Sequence, residues 1–394
     1  MLTINLPSAL FWRSEVDILG MEKFTSPNSR PDYFFITALS LIVIIGLVFL
    51  TSASVAVGFQ RFGDTYYYLK HQVLVGLLPG VLLFIFFSRF DYHKLKKFAL
   101  WFFIISLILL GLIFVPGLGL NLGGARRWLA LGPFVFQPSE LIKLTLVIYL
   151  AAWFEAAGEN VKSLVKGFLP FVIILALTLG LIILQPDLGT TSVVGVAAIA
   201  IYLVAGAKFS HLGVLAMGGI TALWSIIKIF PHSVKRITVF LNPELDPQGI
   251  GYHINQALLA VGSGGLFGLG LGYSRQKYQY LPEVTGDSIF AIMAEELGFI
   301  LSVVFLLIIF TFLFRGLRIA LRAPDAFGTY LATGIMVWFG WQICINVASM
   351  INIMPLTGVP LPFVSAGGSA LLTALAACGI VVNISRHIKW NEKN

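Results

Sequence analysis

Ten apolar runs, each long enough to cross a bilayer, constrain this chain more than any other feature. They lie near 33–53, 70–88, 98–115, 138–156, 168–185, 188–206, 211–230, 288–314, 326–348 and 365–384. A membrane helix takes roughly 20 residues to span the hydrocarbon core. The runs therefore predict an all-α polytopic membrane protein with about ten transmembrane helices. Composition agrees, because only 11% of residues are charged and the mean hydropathy is +0.91, whereas soluble domains carry about 25% charged residues.

Short cytoplasmic loops collect Lys and Arg. With the N-terminus inside, the inside segments hold 16 of the 26 basic residues, among them Lys94, Lys96, Lys97, Arg315, Arg318 and Arg322. Ten crossings then return the C-terminus to the cytoplasm. Residues 1–32 read as a cytoplasmic tail rather than a cleavable signal, which needs its apolar core earlier. Residues 33–386 form one integral membrane domain, and 387–394 a second cytoplasmic tail. The net charge of +8 calls for no partner beyond anionic lipid headgroups, and nothing points to nucleic acid. Cys344 and Cys378 sit inside apolar runs and read as small buried residues without disulfide or metal spacing.

The outside segment 231–287, between helices 7 and 8, is too long for an ordinary connection, and such loops are usually functional. Within it, residues 250–272 carry no charge but include seven glycines. Each glycine costs a helix interior about 1 kcal/mol relative to alanine. An eleventh crossing would also turn the basic residues after Phe314 outward. The stretch is therefore expected to be an amphipathic or re-entrant segment on the membrane.

Charged residues at the outer helix ends are the candidates for chemistry. Asp287 precedes the eighth helix, where the dipole and free N–H groups favour a negative charge. An N-cap role and a catalytic role are both open to it. Glu283 is either a substrate-orienting group or a solvated loop charge. Arg126 and Arg127, beside Gly123, Gly124 and the interfacial Trp128, suit recognition of phosphate or pyrophosphate; the plain alternative is headgroup contact. Pro138 looks like the first residue of the fourth helix. That places Glu140 in the first turn and Lys143 three residues on, on the same face, as a cavity pair or a structural ion pair. Asp187, in Gln185-Pro186-Asp187-Leu188-Gly189, marks a tight turn. Glu295 and Glu296 lie about two turns below Asp287 and are expected to tie helices together. The histidines, His232 and His253 of the long loop included, make no metal-like pair.

These motifs together resemble the SEDS family of bacterial cell-wall polymerases (FtsW, RodA and SpoVE). The landmarks are Gly124-Ala125-Arg126-Arg127-Trp128-Leu129, Gln137-Pro138-Ser139-Glu140, Gln185-Pro186-Asp187-Leu188-Gly189-Thr190, Phe240-Leu241-Asn242-Pro243-Glu244, Leu281 to Gly298, and Pro360-Leu361-Pro362-Phe363-Val364-Ser365. The resemblance implies a glycosyltransferase that polymerises lipid II into glycan strands on the outer face of the bacterial cytoplasmic membrane, beside a class B penicillin-binding protein. It places the essential acid of a His-Thr-Asp-Phe-Ile-Phe-Ala run on Asp287, where this chain reads Thr285-Gly286-Asp287-Ser288-Ile289-Phe290-Ala291. It also raises Glu140, Lys143 and Asp187 to cavity residues. The link Leu271-Gly272-Tyr273-Ser274-Arg275-Gln276-Lys277 looks like the division and sporulation branch, which implies a septal location and other divisome partners. An elongation-type polymerase, a lipid II transporter and a recruiting scaffold are the rival readings.

The implied reaction needs a base for a sugar hydroxyl and positive charge for a pyrophosphate leaving group. Asp287 takes the first role, and Arg126, Arg127 and Lys143 the second. Glu283, Glu140 and Asp187 would orient substrate or a divalent cation; no other cofactor is evident.

Overall fold

The computed structural model describes residues 30–122, 125–131, 134–229 and 231–388. Most of the expected N-terminal tail, the last six residues, and Gly123 with Gly124 lie outside the described residues. Among those described, eight helices are long and apolar enough to cross a membrane, and two shorter apolar helices, Leu188–Val204 and Phe209–Thr221, complete the ten expected positions.

The first four spans are α1 (Tyr33–Phe62), the pair α2 (Tyr67–His71) and α3 (Leu78–Arg89), α4 (His93–Leu112) and α5 (Pro138–Ala157). A π-helical turn at Gln72–Leu77 joins α2 to α3, just before Pro79, which has no N–H to donate to a regular helical hydrogen bond. Then come α6 (Leu169–Ile183), α7 (Leu188–Val204), α8 (Phe209–Ile229), the loop helices α9 (Pro231–Leu241) and α10 (Ile250–Ser263), and the last spans α11 (Ile289–Arg322), α12 (Ala326–Met350) and α13 (Gly368–His387). Helix α13 is the bundle's centre, with 89% of its apolar window buried. Small residues let its neighbour come close: a Cβ at Gly379 would stand 2.6 Å from the Phe84 carbonyl oxygen of α3, the kind of backbone approach on which membrane helices pack.

Polar side chains fix the helix ends opposite Asp287. Asp32 caps α1 by accepting from Phe35 N at 3.0 Å, pairs with Arg315 of α11 at 2.6 Å, and donates its own backbone N–H to Ser385 Oγ of α13 at 3.1 Å. Asp325 caps α12 and binds Tyr92 and His93 at the start of α4.

Three features add to or depart from the sequence reading. Within the otherwise helical chain, β1 (Gly119–Leu122), β2 (Ala125–Leu131) and β3 (Phe134–Phe136) form a small antiparallel meander between α4 and α5. Arg126 and Trp128 pair with β1, Ala130 pairs with β3, and Leu129 between them pairs on both edges, so the strand ladder takes up backbone groups that lie outside the helical bundle. Cys344 is exposed on α12 rather than buried, because a lipid-facing position is as apolar as a core one. Asp287 is not the N-cap of the eighth span: Ser288 holds that position and caps nothing with its side chain.

The glycine-rich stretch is a helix followed by a re-entrant turn, and it breaks α11. Gly298 takes φ 72° and ψ −177° in the middle of that helix. In an unbroken helix Phe299 N and Ile300 N would bond to the carbonyls of Glu295 and Glu296. Instead they bond to Gly265 O at 2.8 Å and Leu266 O at 3.2 Å, while Leu269 N and Gly270 N fill the Glu295 and Glu296 carbonyls at 3.0 and 3.1 Å. The loop thus replaces both hydrogen bonds that the break removes, which is the condition for irregular backbone at membrane depth.

Candidate active site

Two loops meet over the ends of α7, α11 and α12. The segment before α11 carries Glu283 and Asp287, and the segment 351–367 folds onto it. Ser365 Oγ donates to Gly286 O at 2.6 Å and Ala366 N to Thr285 O at 2.8 Å. Asn346 of α12 donates to both Asp287 O at 2.7 Å and Val359 O at 2.8 Å, so one amide clamps the two loops. Gly189 packs against Val359 and Thr357, which brings the Asp187 turn to the same edge. Gly358 faces Asp287 Oδ2.

Asp287 is half-buried with little to stabilise its charge. Burial, and then the negative charge of Glu283, push its carboxyl up to about 7. Its side chain takes a local hydrogen bond from its own backbone N–H and lies 3.4 Å from Ser288 Oγ through Oδ1. Glu283 is exposed and takes a left-handed φ of 49°. Arg236 of α9 supplies opposing charge. It lies close enough to both Asp187 and Asp287 that they partly offset the lowering of its own pKa by burial and by Arg127. An acid with a pKa near the working pH, beside a desolvated guanidinium, is a usual composition for a proton-transfer site.

The arginine pair is divided. Adjacent residues of a strand point to opposite faces, and Arg127 turns to the α6–α7 corner, donating to Gln185 O at 3.1 Å and to Pro186 O, with Asp187 Oδ2 at 3.9 Å. Arg126, opposite Asn121, is exposed. Trp128 pairs across the sheet with Leu120. Asp187 caps α7, accepting from Thr190 N and Thr190 Oγ1, both at 3.0 Å.

Glu140 and Lys143 form the expected pair, 2.8 Å apart and almost wholly buried. Pro138 does open α5 and Glu140 does lie in its first turn. Lys143 also donates to Gln342 Oε1 at 3.1 Å, and Gln342 in turn donates to Pro360 O at 2.9 Å. Glu140, Gln342, Pro360, Pro362 and Ser365 line a single cleft. The pair therefore communicates with the Asp287 loops through Gln342 and Ser365.

Of the acids Glu283, Glu140 and Asp187, the last two already have polar partners. Glu140 is held by Lys143, and both Asp187 oxygens accept from Thr190. Among the described residues the trio with metal-like proximity is Asp91, His93 and His387, within 4.8 Å of one another, at the end of the bundle away from Asp287.

Glu295 and Glu296 do tie the structure together. Glu295 accepts from Ser263, Ser274, Arg275 N and Gln276 N; Glu296 accepts from Ser52 of α1 at 2.7 Å and from Lys277 at 3.0 Å. Arg236 and His253 were not singled out as site residues by sequence. Lys235-Arg236 reads as an ordinary basic loop pair, and only the amphipathic period of 231–241 hints that α9 lays one face on the site.

A family model described as cell cycle protein, covering FtsW, RodA and SpoVE, matches residues 32–390. The chain belongs to this family. It is 39% identical over 366 residues to the stage V sporulation protein E of Bacillus subtilis (strain 168), covering 93% of this chain and 100% of that protein. It is 37% identical over 375 residues to a probable peptidoglycan glycosyltransferase FtsW of Trichlorobacter lovleyi, covering 94% and 97%. Among solved structures, a chain from a peptidoglycan synthase complex that coordinates polymerization and crosslinking superposes with a TM-score of 0.73 at 29% identity, covering 90% of this chain and 98% of that one. The rod shape determining protein RodA of Thermus thermophilus gives 0.66 at 28% identity, covering 92% and 98%. The re-entrant loop and broken α11 thus belong to a family member whose architecture matches its relatives over nearly the whole chain.

Proposed function

We propose that this protein is a peptidoglycan glycosyltransferase that polymerises lipid II into glycan strands at the outer face of the bacterial cytoplasmic membrane. It works beside a class B penicillin-binding protein, and its place is septal wall synthesis with other divisome proteins. Full-length likeness to proteins named as such transferases supports the reaction class. The observation that carries the mechanism is Asp287, a half-buried carboxylate raised to about 7 where the segment before α11 meets the 351–367 loop.

In this mechanism Asp287 accepts the proton of the acceptor sugar hydroxyl as that oxygen attacks the anomeric carbon of the donor. The bond from the anomeric carbon to undecaprenyl pyrophosphate breaks, and the one new negative charge on the leaving pyrophosphate falls near Arg236, Arg127 and Arg126. Positive charge aimed where charge develops lowers the barrier. Lys143 sits deeper and orders the cleft through Gln342. Glu283 orients substrate at the loop edge.

Polymerisation of purified lipid II by the full chain with its penicillin-binding partner tests this reading. General-base action is worth about 10² to 10⁴ in rate, so Asp287→Asn should remain folded and make almost no polymer. Wild-type turnover by that variant would remove Asp287 from the role. A second reading, a lipid II transporter, draws on the broken α11 beside buried charges, as in transporters with discontinuous helices. Flipping of labelled lipid II in vesicles without polymer formation would favour it.

A further inference from the structure

His253 of α10 reaches across to the start of α11, where its Nε2 lies 2.6 Å from Ser288 Oγ. Ser288 is fully buried, and its hydroxyl is also 3.4 Å from Asp287 Oδ1. A serine hydroxyl has one proton to give. If it went to His253, the Ser288 lone pairs would face an ionised Asp287 oxygen. The arrangement that suits a carboxylate is therefore His253 Nε2–H donating to Ser288 Oγ, and Ser288 O–H donating to Asp287 Oδ1. Burial keeps the imidazole neutral, its pKa pushed down to about 4, so the chain ends on a neutral donor rather than a second charge.

We infer that His253 and Ser288 are positioning residues for Asp287: the pair holds Oδ1 and leaves Oδ2 on the side of Gly358. The inference rests on Asp287 being the base proposed above. Other groups facing this carboxylate are Glu283 and the backbone N–H of Asp287 from its own loop, and Arg236 from α9; the uncharged Asn346 of α12 binds the Asp287 main-chain carbonyl instead, and the 351–367 loop brings Gly358 to Oδ2. Among their side chains none takes the place of Ser288 as donor to Oδ1. The plain alternative is that the His253–Ser288 bond merely pins α10 to α11.

Steady-state polymerisation of lipid II by the full chain with its partner, measured from pH 5.5 to 9, separates these roles. His253→Ala and Ser288→Ala should each lower kcat about tenfold, the worth of one modest hydrogen bond to a charged group, with KM little changed. Loss of a donor to the charged form raises an acid's pKa, so the acid limb should move to higher pH in both variants, and activity should partly recover at pH 9. His253→Gln, which keeps an N–H near the Nε2 position, should restore both kcat and the limb. The double alanine variant should be no worse than either single one. Wild-type kcat with an unmoved limb would overturn the inference, as would a loss of kcat with an unmoved limb and a lower melting temperature. If His253→Ala does not fold, Ser288→Ala and His253→Gln carry the same test. Asp287→Asn in the same series tells the two failures apart. Turnover by it overturns the base assignment itself, whereas its inactivity beside normal alanine variants overturns only the positioning role.

Discussion

Two carboxylate sites lie within one helical segment of each other and are treated in opposite ways. Glu296 is fully buried and meets Lys277 at 3.0 Å and Ser52 at 2.7 Å, while Glu295 collects the backbone and hydroxyl donors of residues 263–276. Asp287 has a long contact to Ser288 and a repelling neighbour in Glu283. Buried charges must be paired or they neutralise. The glutamates have spent their charge on fixing the re-entrant loop, whereas Asp287 keeps a proton affinity near neutrality. Saturated acids build this molecule, and the unsaturated one is left for chemistry.

The contrast can be broken most directly by amide substitution at each site. Asp287→Asn should abolish polymer synthesis, by about 10² to 10⁴, without loss of folded protein. Its stability should even rise. The native pKa of about 7 stands above the ordinary carboxylate value, so ionised Asp287 costs stability above about pH 7, and the cost fades as pH falls toward the ordinary range. Thermal melts should therefore show Asp287→Asn above wild type at pH 8, with the gap closing by pH 4. Glu296→Gln should do the reverse. It leaves Lys277 buried without its partner, which typically costs about 3–5 kcal/mol, and its activity should fall only as its folded fraction falls. A folded, inactive Glu296→Gln would show that this glutamate serves the reaction.

A smaller effect is expected at Gly298. Any side chain there is strained at φ 72° and runs into the Gly268 backbone. Left-handed strain costs a non-glycine residue about 1–3 kcal/mol, so Gly298→Ala should lower the melting temperature and speed hydrogen exchange in 264–270 ahead of the rest of the bundle. Uniform exchange would mean that the loop does not depend on the break.

The smallest effects concern the charges around Asp287. Removing Glu283's charge in Glu283→Gln should lower the Asp287 pKa and shift the acid limb of the rate profile to lower pH. Arg236→Gln should shift it to higher pH and also weaken lipid II binding, each by less than about tenfold at pH 7. Shifts of the same sign in both variants would remove Arg236 from the site.

The ten spans, the start of α5 at Pro138 and the Glu140–Lys143 pair were all legible in sequence. Each rests on a local rule: run length against bilayer thickness, proline at the first helical turn, or i,i+3 spacing. The exclusion of an eleventh crossing at 250–272 came from glycine cost and charge bias, and α10 with its re-entrant turn agrees. Position along the chain also pointed to Asp287, but not to the environment that raises its pKa.

What tertiary structure alone decided are the pairings between distant segments. His253 meets Ser288 across 35 positions, and Asn346 reaches Asp287 across 59. Neither pair shares a period, a motif or an element. The β meander separates Arg126 from Arg127, and the Gly265–Gly270 backbone replaces hydrogen bonds inside α11. Sequence periodicity records which face of an element is apolar. It does not record which polar group of another element will arrive there, since that depends on how the helices cross once their apolar faces have found lipid or each other.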